Sequence, residues 1–149
     1  MSDEREIENL IHRYAELIDA GDLEAVAELF RNACIVAPDG SASCGYDAVL
    51  EMYRASTRIY PDTGTPCTQH VTSNLQIQVN KRAESATATC YFTVFQALPD
   101  FPLQPIIAGY YRDSFECVLM RWRFSRREMH PRLFGDLSRH LLFDAAEIQ

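Results

Sequence analysis

Long hydrophobic runs are missing from this chain of 149 residues, and no apolar stretch approaches the length of a membrane span. Cys-x-x-Cys pairs are missing too, so the five cysteines, Cys34, Cys44, Cys67, Cys90 and Cys117, do not suggest structural zinc. They read as free thiols in a reducing compartment. Excess positive charge is lacking: the net charge of −7 argues against a nucleic-acid partner, whose phosphates need clustered Lys and Arg. The run Arg121, Arg123, Arg126 and Arg127 is a local exception. On an alternating strand it divides between two faces and reads as a solvated patch. There is no Gly-x-Gly-x-x-Gly, phosphate-binding loop, His-Glu-x-x-His or Gly-x-Ser-x-Gly. Nucleotide, metal and serine-hydrolase chemistry lose ground accordingly, and no cofactor is expected. His12, His130 and His140 show no spacing that suggests a metal site.

What is present is ordinary for a globular protein, with 47% hydrophobic and 23% charged residues. No repeat and no Gly/Ser-rich linker divides the chain, so residues 1–149 are expected to form one domain. The charged opening Met1-Ser2-Asp3-Glu4-Arg5-Glu6 is unlike a signal peptide, which makes a cytoplasmic location the expectation.

Asp3 and Glu6 fit a capping box before Ile7, Leu10, Ile11, Tyr14, Leu17 and Ile18, which repeat at helical spacing. Gly21 ends this helix and Asp22 caps a second, with Leu23, Val26, Ala27 and Phe30 as its apolar stripe. A hairpin over 33–45 turns at Pro38-Asp39-Gly40, and Asp47 is expected to cap a third helix burying Val49, Leu50 and Tyr53. Residues 60–66 form a loop by composition. Strands follow: 71–79 pairs with 86–95, and 106–117 with 122–129, with prolines 99, 102 and 105 marking a loop between the hairpins. Leu137, Leu141 and Leu142 suggest a short helix in the tail. Helices first and strands after, without alternation, mean α+β: a curved antiparallel sheet with helices across one face and a cavity between the layers.

His70, at the start of a strand-like run, and Asp19, near the end of the first helix, are the candidate chemistry. An imidazole oriented by a carboxylate can remove a proton near neutral pH. Each residue also has a plainer reading. Asp19 can be a solvated carboxylate near a helix end, where the dipole mildly disfavours it. Alternation groups His70 with Thr72, Asn74, Gln76 and Gln78, on the face opposite Val71, Leu75, Ile77 and Val79. Only a bulge near Ser73-Asn74, or a pocket on the polar side, brings it into a site. Arg127 shares parity with Arg123 and Ser125, opposite Trp122 and Phe124; inside a cavity it would bind an anion or stabilise negative charge. Tyr14, Tyr91, Tyr110 and Tyr111 are candidates to line a pocket, with core packing as the ordinary alternative.

With these residues in view, the chain resembles the SnoaL-like branch of the nuclear transport factor 2-like superfamily. The stretch 7–14 through Asp19, then Asp22-Leu23 and Leu29-Phe30, resembles that family's first helical pair. Gln69-His70-Val71-Thr72-Ser73-Asn74 resembles its histidine strand, and 109–116 with 122–127 its closing hairpin. The pattern is most similar to the hexachlorocyclohexane dehydrochlorinase, scytalone dehydratase and bile-acid dehydratase group. The resemblance implies a dyad of Asp19 and His70, with Arg127 as a pocket arginine. It also implies a cofactor-independent lyase or isomerase acting on a small cyclic or polyketide-like molecule.

The alternative is a non-catalytic binding or assembly module, including a small subunit of an oxygenase, with a cavity lined by Tyr14, Tyr91, Ile107 and Tyr111. Self-association as a homodimer or homotrimer is expected, through a sheet face carrying Trp122 and Phe124. The turn before Trp122 lacks the glycine often found there, and the tail from Pro131 matches nothing in the family pattern.

Overall fold

Helix α1, Asp3–Asp19, turns Ile7, Ile11, Tyr14, Leu17 and Ile18 inward, as their spacing dictates. The computed structural model describes residues 1–149. Its N-cap is Ser2, one residue before the expected position, with the hydroxyl accepting from Arg5 N–H at 3.2 Å. Asp3 and Glu6 are spent elsewhere: Trp122 donates its indole N–H to Asp3 (3.1 Å) and its main-chain N–H to Glu6 (2.6 Å). At the other end, Gly21 N–H donates to the Ile18 carbonyl and Asp22 N–H to that of Leu17, the paired bonds of a Schellman motif. Gly21 has φ +74°, and a Cβ there would lie 2.2 Å from the Gly64 carbonyl oxygen, so only glycine fits. Helix α2, Leu23–Leu29, is capped by Asp22 as expected, through Ala25 N–H at 3.1 Å.

Strands β1 (Cys34–Val36) and β2 (Ala42–Cys44) form the expected hairpin, and α3 spans Gly45–Ser56, burying Val49, Leu50 and Tyr53. Asp47 lies in the first turn of α3 rather than at its cap. Then come β3 (Thr68–Asn80), β4 (Ser85–Leu98), β5 (Phe101–Val118) and β6 (Arg121–Phe134). The six strands make one curved, unclosed sheet in the order β2-β1-β6-β5-β4-β3, so the fold is α+β. All neighbours are antiparallel except β1 and β6, which run parallel. The proline-marked loop contracts to a turn at Pro99-Asp100, because Pro102 and Pro105 lie within β5. Pro105 sits at a register shift, where a missing N–H costs least.

The structure corrects three further expectations. Cys34 and Cys44 face each other across the β1–β2 hairpin and form a disulfide, leaving Cys67, Cys90 and Cys117 free. A separation of ten residues hides that pairing until the hairpin register is known. Trp122 and Phe124 belong to the chain's own core: Phe124 stacks on Phe30 at 4.6 Å, and Trp122 is held by α1. They are unavailable to a partner's sheet. The expected helix near Leu137 does not form; a 3₁₀ turn at Ala145–Ile148 is the tail's one helical element.

Instead, the segment after β6 is fastened across the end of α3 and the loop beyond it. Arg58 N–H donates to the His140 carbonyl (2.8 Å) and Leu142 N–H to that of Ser56 (3.1 Å). Buried Gln96 donates to the Arg139 carbonyl (3.1 Å), which also accepts from the Tyr60 hydroxyl. No helix is long and apolar enough to cross a membrane.

Candidate active site

The sheet's inner face, α1, α3, the β1–β2 hairpin and the C-terminal segment enclose a cavity of about 290 Å³, lined mostly by hydrophobic side chains. Ile18, Met52, Phe92, Val94 and Ile107 form much of its wall, and Ala37 and Pro38 come from the hairpin. Polar groups are few: Tyr14, Tyr53, Tyr111, His70, His140 and several hydroxyls. An apolar enclosure with a handful of placed polar groups is the usual form of a small-molecule site.

His70 reaches this cavity because β3 bulges. Its pairing with β4 shifts between Ser73 and Gln76, and Asn74 adopts φ +51°. The extra residue reverses the alternation, so Thr68, His70 and Thr72 share the partly buried face of Leu75, Ile77 and Val79. Asp19, the last residue of α1, meets His70 there: its Oδ1 lies 2.7 Å from His70 Nδ1. The carboxylate also accepts from His70 N–H (2.8 Å) and from the Thr68 hydroxyl (2.9 Å). Three donors compensate for its place at the negative end of a helix. The Asp19 contact occupies Nδ1, which leaves Nε2 as the ring nitrogen free for a ligand. His70 is 9% exposed and Asp19 21%, so the pair is screened from bulk water but not sealed.

Tyr14 approaches His70 edge-on, with ring centroids 6.3 Å apart, and its hydroxyl lies 2.7 Å from that of Tyr53. Tyr111 stacks on Phe92 at 4.4 Å. Burial holds the Tyr14, Tyr53 and Tyr111 phenols above their ordinary range, so all three are neutral donors.

Arg127 is inside, against the parity reading, because a second bulge lies where Ser114 pairs with Arg126 but Phe115 with Phe124. That places Arg127 on the same face as Trp122 and Phe124, fully buried. It does not line the cavity. Its guanidinium makes two bonds to Asp113 (2.8 and 2.9 Å) and lies 3.8 Å from the Tyr111 ring centroid and 4.3 Å from that of Tyr14. Burial alone would lower its proton affinity; the charge of Asp113 and its hydrogen bonds outweigh that and hold it above the usual value.

Of the expected lining residues, Tyr14, Ile107 and Tyr111 face the cavity. Tyr91 does not: β4 alternates regularly there, and Tyr91 lies on the outer face, 43% exposed and 5.4 Å from the Arg132 guanidinium. Sequence reasoning missed Thr68, Tyr53 and His140 as site residues. Tyr53 was legible only as a buried position of α3, and the tail gave no signal for His140. No group of three or more His, Cys, Asp or Glu is placed to hold a metal ion.

A curved sheet, helices across its concave face and a carboxylate–imidazole pair beside an apolar cavity define a protein of cystatin-like fold. The chain belongs to the SnoaL-like domain family, which matches residues 1–128. Comparison with curated proteins gives no match. Among solved structures, an NTF2-like protein with a cystatin-like fold from Novosphingobium aromaticivorans is 24% identical, with a TM-score of 0.71 over 98% of this chain and 86% of that one. A candidate scytalone dehydratase from the same organism is 22% identical, with a TM-score of 0.70 over 90% of this chain and 87% of its own. The structure of LinA is 18% identical, with a TM-score of 0.69 over 91% and 89% respectively. At these identities the likeness is one of fold.

Proposed function

We propose that this protein is a cofactor-independent lyase or isomerase of dehydratase type, acting on a small cyclic or polyketide-like molecule. The observation that carries the reading is the 2.7 Å contact between Asp19 and His70 at the edge of an apolar cavity. His70 Nε2 is the general base and takes a proton from a carbon beside a substrate carbonyl. Asp19 holds the ring in the required tautomer and stabilises the imidazolium that forms. The carbon's electron pair becomes a C=C bond as a neighbouring hydroxyl leaves. The proton on His70 departs with that hydroxyl as water, or returns to another carbon in an isomerisation. Tyr14 and Tyr53 supply neutral hydrogen bonds to ligand oxygens. Arg127 acts from behind, orienting the Tyr14 and Tyr111 rings and adding positive potential without touching the ligand.

The test is the mutant pattern. A general base contributes a rate factor of about 10²–10⁴. His70→Ala and Asp19→Asn should each remove most of the α-proton exchange with solvent deuterium, measured by NMR on a panel of cyclic β-hydroxy ketones. The double variant should be little worse than His70→Ala, since residues acting as a unit are not additive. Ligand recovered unchanged after long incubation, with equal affinity in His70→Ala, would instead favour the binding-module reading.

A further inference from the structure

We infer that His140, on the C-terminal segment, is a second functional imidazole of this site: a neutral Nε2–H donor that binds the carbonyl oxygen of the ligand while His70 removes the neighbouring proton. The inference rests on the proton-abstraction reading above and names what that reading leaves open, the group that meets the developing oxyanion.

The geometry carries it. His140 lines the same cavity as His70, though 70 residues separate them in sequence. Its backbone is held on both sides: its N–H donates to the Leu137 carbonyl (3.1 Å), and its carbonyl accepts from Arg58 N–H (2.8 Å). The ring is therefore presented by a fixed main chain. Of its two nitrogens, Nδ1 is shut off from solvent and has no hydrogen-bond partner, which leaves Nε2 as the nitrogen presented to the cavity.

That asymmetry selects the protonation state. An imidazolium would bury an N–H at Nδ1 with nothing to receive it, whereas an unpartnered lone pair is the lesser cost. The favoured form is neutral, with the proton on Nε2. Burial and, after it, the nearby His70 push the ring in the same direction, down to about 4, against a weaker opposing pull from Asp19. The other titratable groups facing the cavity, Tyr14, Tyr53 and Tyr111, are neutral phenols and offer no counter-charge. His70 has a carboxylate behind its Nδ1, and His140 presents its Nε2 with none. One imidazole with a carboxylate behind it and one with no partner can take the different roles of base and donor in a single cavity.

In the step itself, His70 Nε2 takes the α-proton and the C–H electron pair moves onto the carbonyl oxygen as an enolate. The His140 N–H strengthens its hydrogen bond to that oxygen without transferring its proton. The enolate then collapses to C=C–C=O as the β-hydroxyl leaves with the proton held by His70, so that one water is lost and both imidazoles are restored. The ligand class is accordingly a small neutral ring ketone bearing a β-hydroxyl. His140 also lies beyond residue 128, outside the family match, so this donor belongs to the chain's own tail.

The test uses the full chain with ¹⁵N-labelled histidines and 2-cyclohexen-1-one as a neutral ketone probe. His140 should show the Nε2–H tautomer and remain neutral at pH 5.5–8, and its Nε2 resonance should move on titration with the ketone in both wild type and His70→Ala. A charged ring, the Nδ1–H tautomer, or no shift up to the probe's solubility overturns the inference. In turnover of a cyclic β-hydroxy ketone, His140→Ala should lose about 10²–10³ in kcat with KM changed far less, the usual cost of one oxyanion donor. His140→Gln, which retains an N–H, should recover part of the loss; full activity in His140→Ala with His70→Ala inactive overturns the role of His140 alone. Equal activity in His70→Ala and wild type overturns the dyad reading instead.

Discussion

Removing Asp113 should unfold this protein more readily than removing Arg127, although the two form a single ion pair. Both side chains are wholly shielded from solvent and joined by two hydrogen bonds of 2.8 and 2.9 Å. Breaking such a pair from one side costs about 3–5 kcal/mol, because the remaining charge is buried without a partner. Against a typical stability of about 5–15 kcal/mol, that is a large share. Asp113→Ala strands a guanidinium that cannot shed its proton. The faces of Tyr111 and Tyr14, 3.8 and 4.3 Å away, return only about 0.5–2 kcal/mol each. Arg127→Met strands a carboxylate, which can neutralise by taking up a proton, so this variant should regain stability as pH falls. The double change Asp113→Leu/Arg127→Met should recover much of the loss, since no charge is left behind. Urea denaturation at pH 5 and pH 8 reads all three. With a slope of about 2 kcal/mol per molar, Asp113→Ala should lower the midpoint by about 2 M. Single losses below about 1 kcal/mol, or a double variant equal to the sum of the singles, would refute the account and imply that water reaches the pair.

Acid should weaken the fold through His140. Its folded value of about 4 lies below the unfolded 6.5, so the unfolded chain binds the extra proton first, and stability falls as pH drops from 6.5 towards 4. The loss is about 3 kcal/mol in wild type and smaller in His140→Gln; equal pH slopes by thermal melting would contradict it. Reduction of the Cys34–Cys44 disulfide, which closes a loop of about ten residues, should cost about 2–3 kcal/mol, read as a shift in the denaturation midpoint with and without reductant. The dimer or trimer expected from the sequence should appear in light scattering as a multiple of 17.0 kDa; a monomer mass at working concentration rejects it.

The elements were legible because helical and strand spacing are local properties. The stripe of α1, the Asp22 cap and both long hairpins follow from neighbouring residues alone. Side-chain direction in the strands was less accessible. Parity holds only while pairing is regular, and one extra residue at Ser73–Gln76 and another between Phe124 and Arg126 reversed it for His70 and Arg127. The bulge near Ser73-Asn74 could be named as the condition for His70 to enter a site, and Asn74 tolerates the left-handed conformation, but only the partner strand reveals that it forms; nothing at 124–126 announces the second. Tyr91 illustrates the opposite case, a residue that regular alternation along β4 places outside the cavity. The disulfide and His140 depend on contacts between segments, which spacing does not encode.

The approach of Gly21 to Gly64 sets the dyad apart from its surroundings. Where the two segments meet there is no side chain between them, only main chain against main chain. Asp19 stands two residues before that meeting point and Thr68 four residues after it, so the separation of carboxylate and imidazole follows from backbone contact. The rest of the cavity wall draws on α3, the disulfide-closed hairpin and the tail, beside α1 and the inner face of the sheet. On the proposed reading, the pair assigned to proton transfer and a large part of the surface that shapes the ligand stand on separate pieces of the chain. Substitutions in α3, the hairpin or the tail would then reshape the cavity while the Asp19–His70 pair keeps its distance.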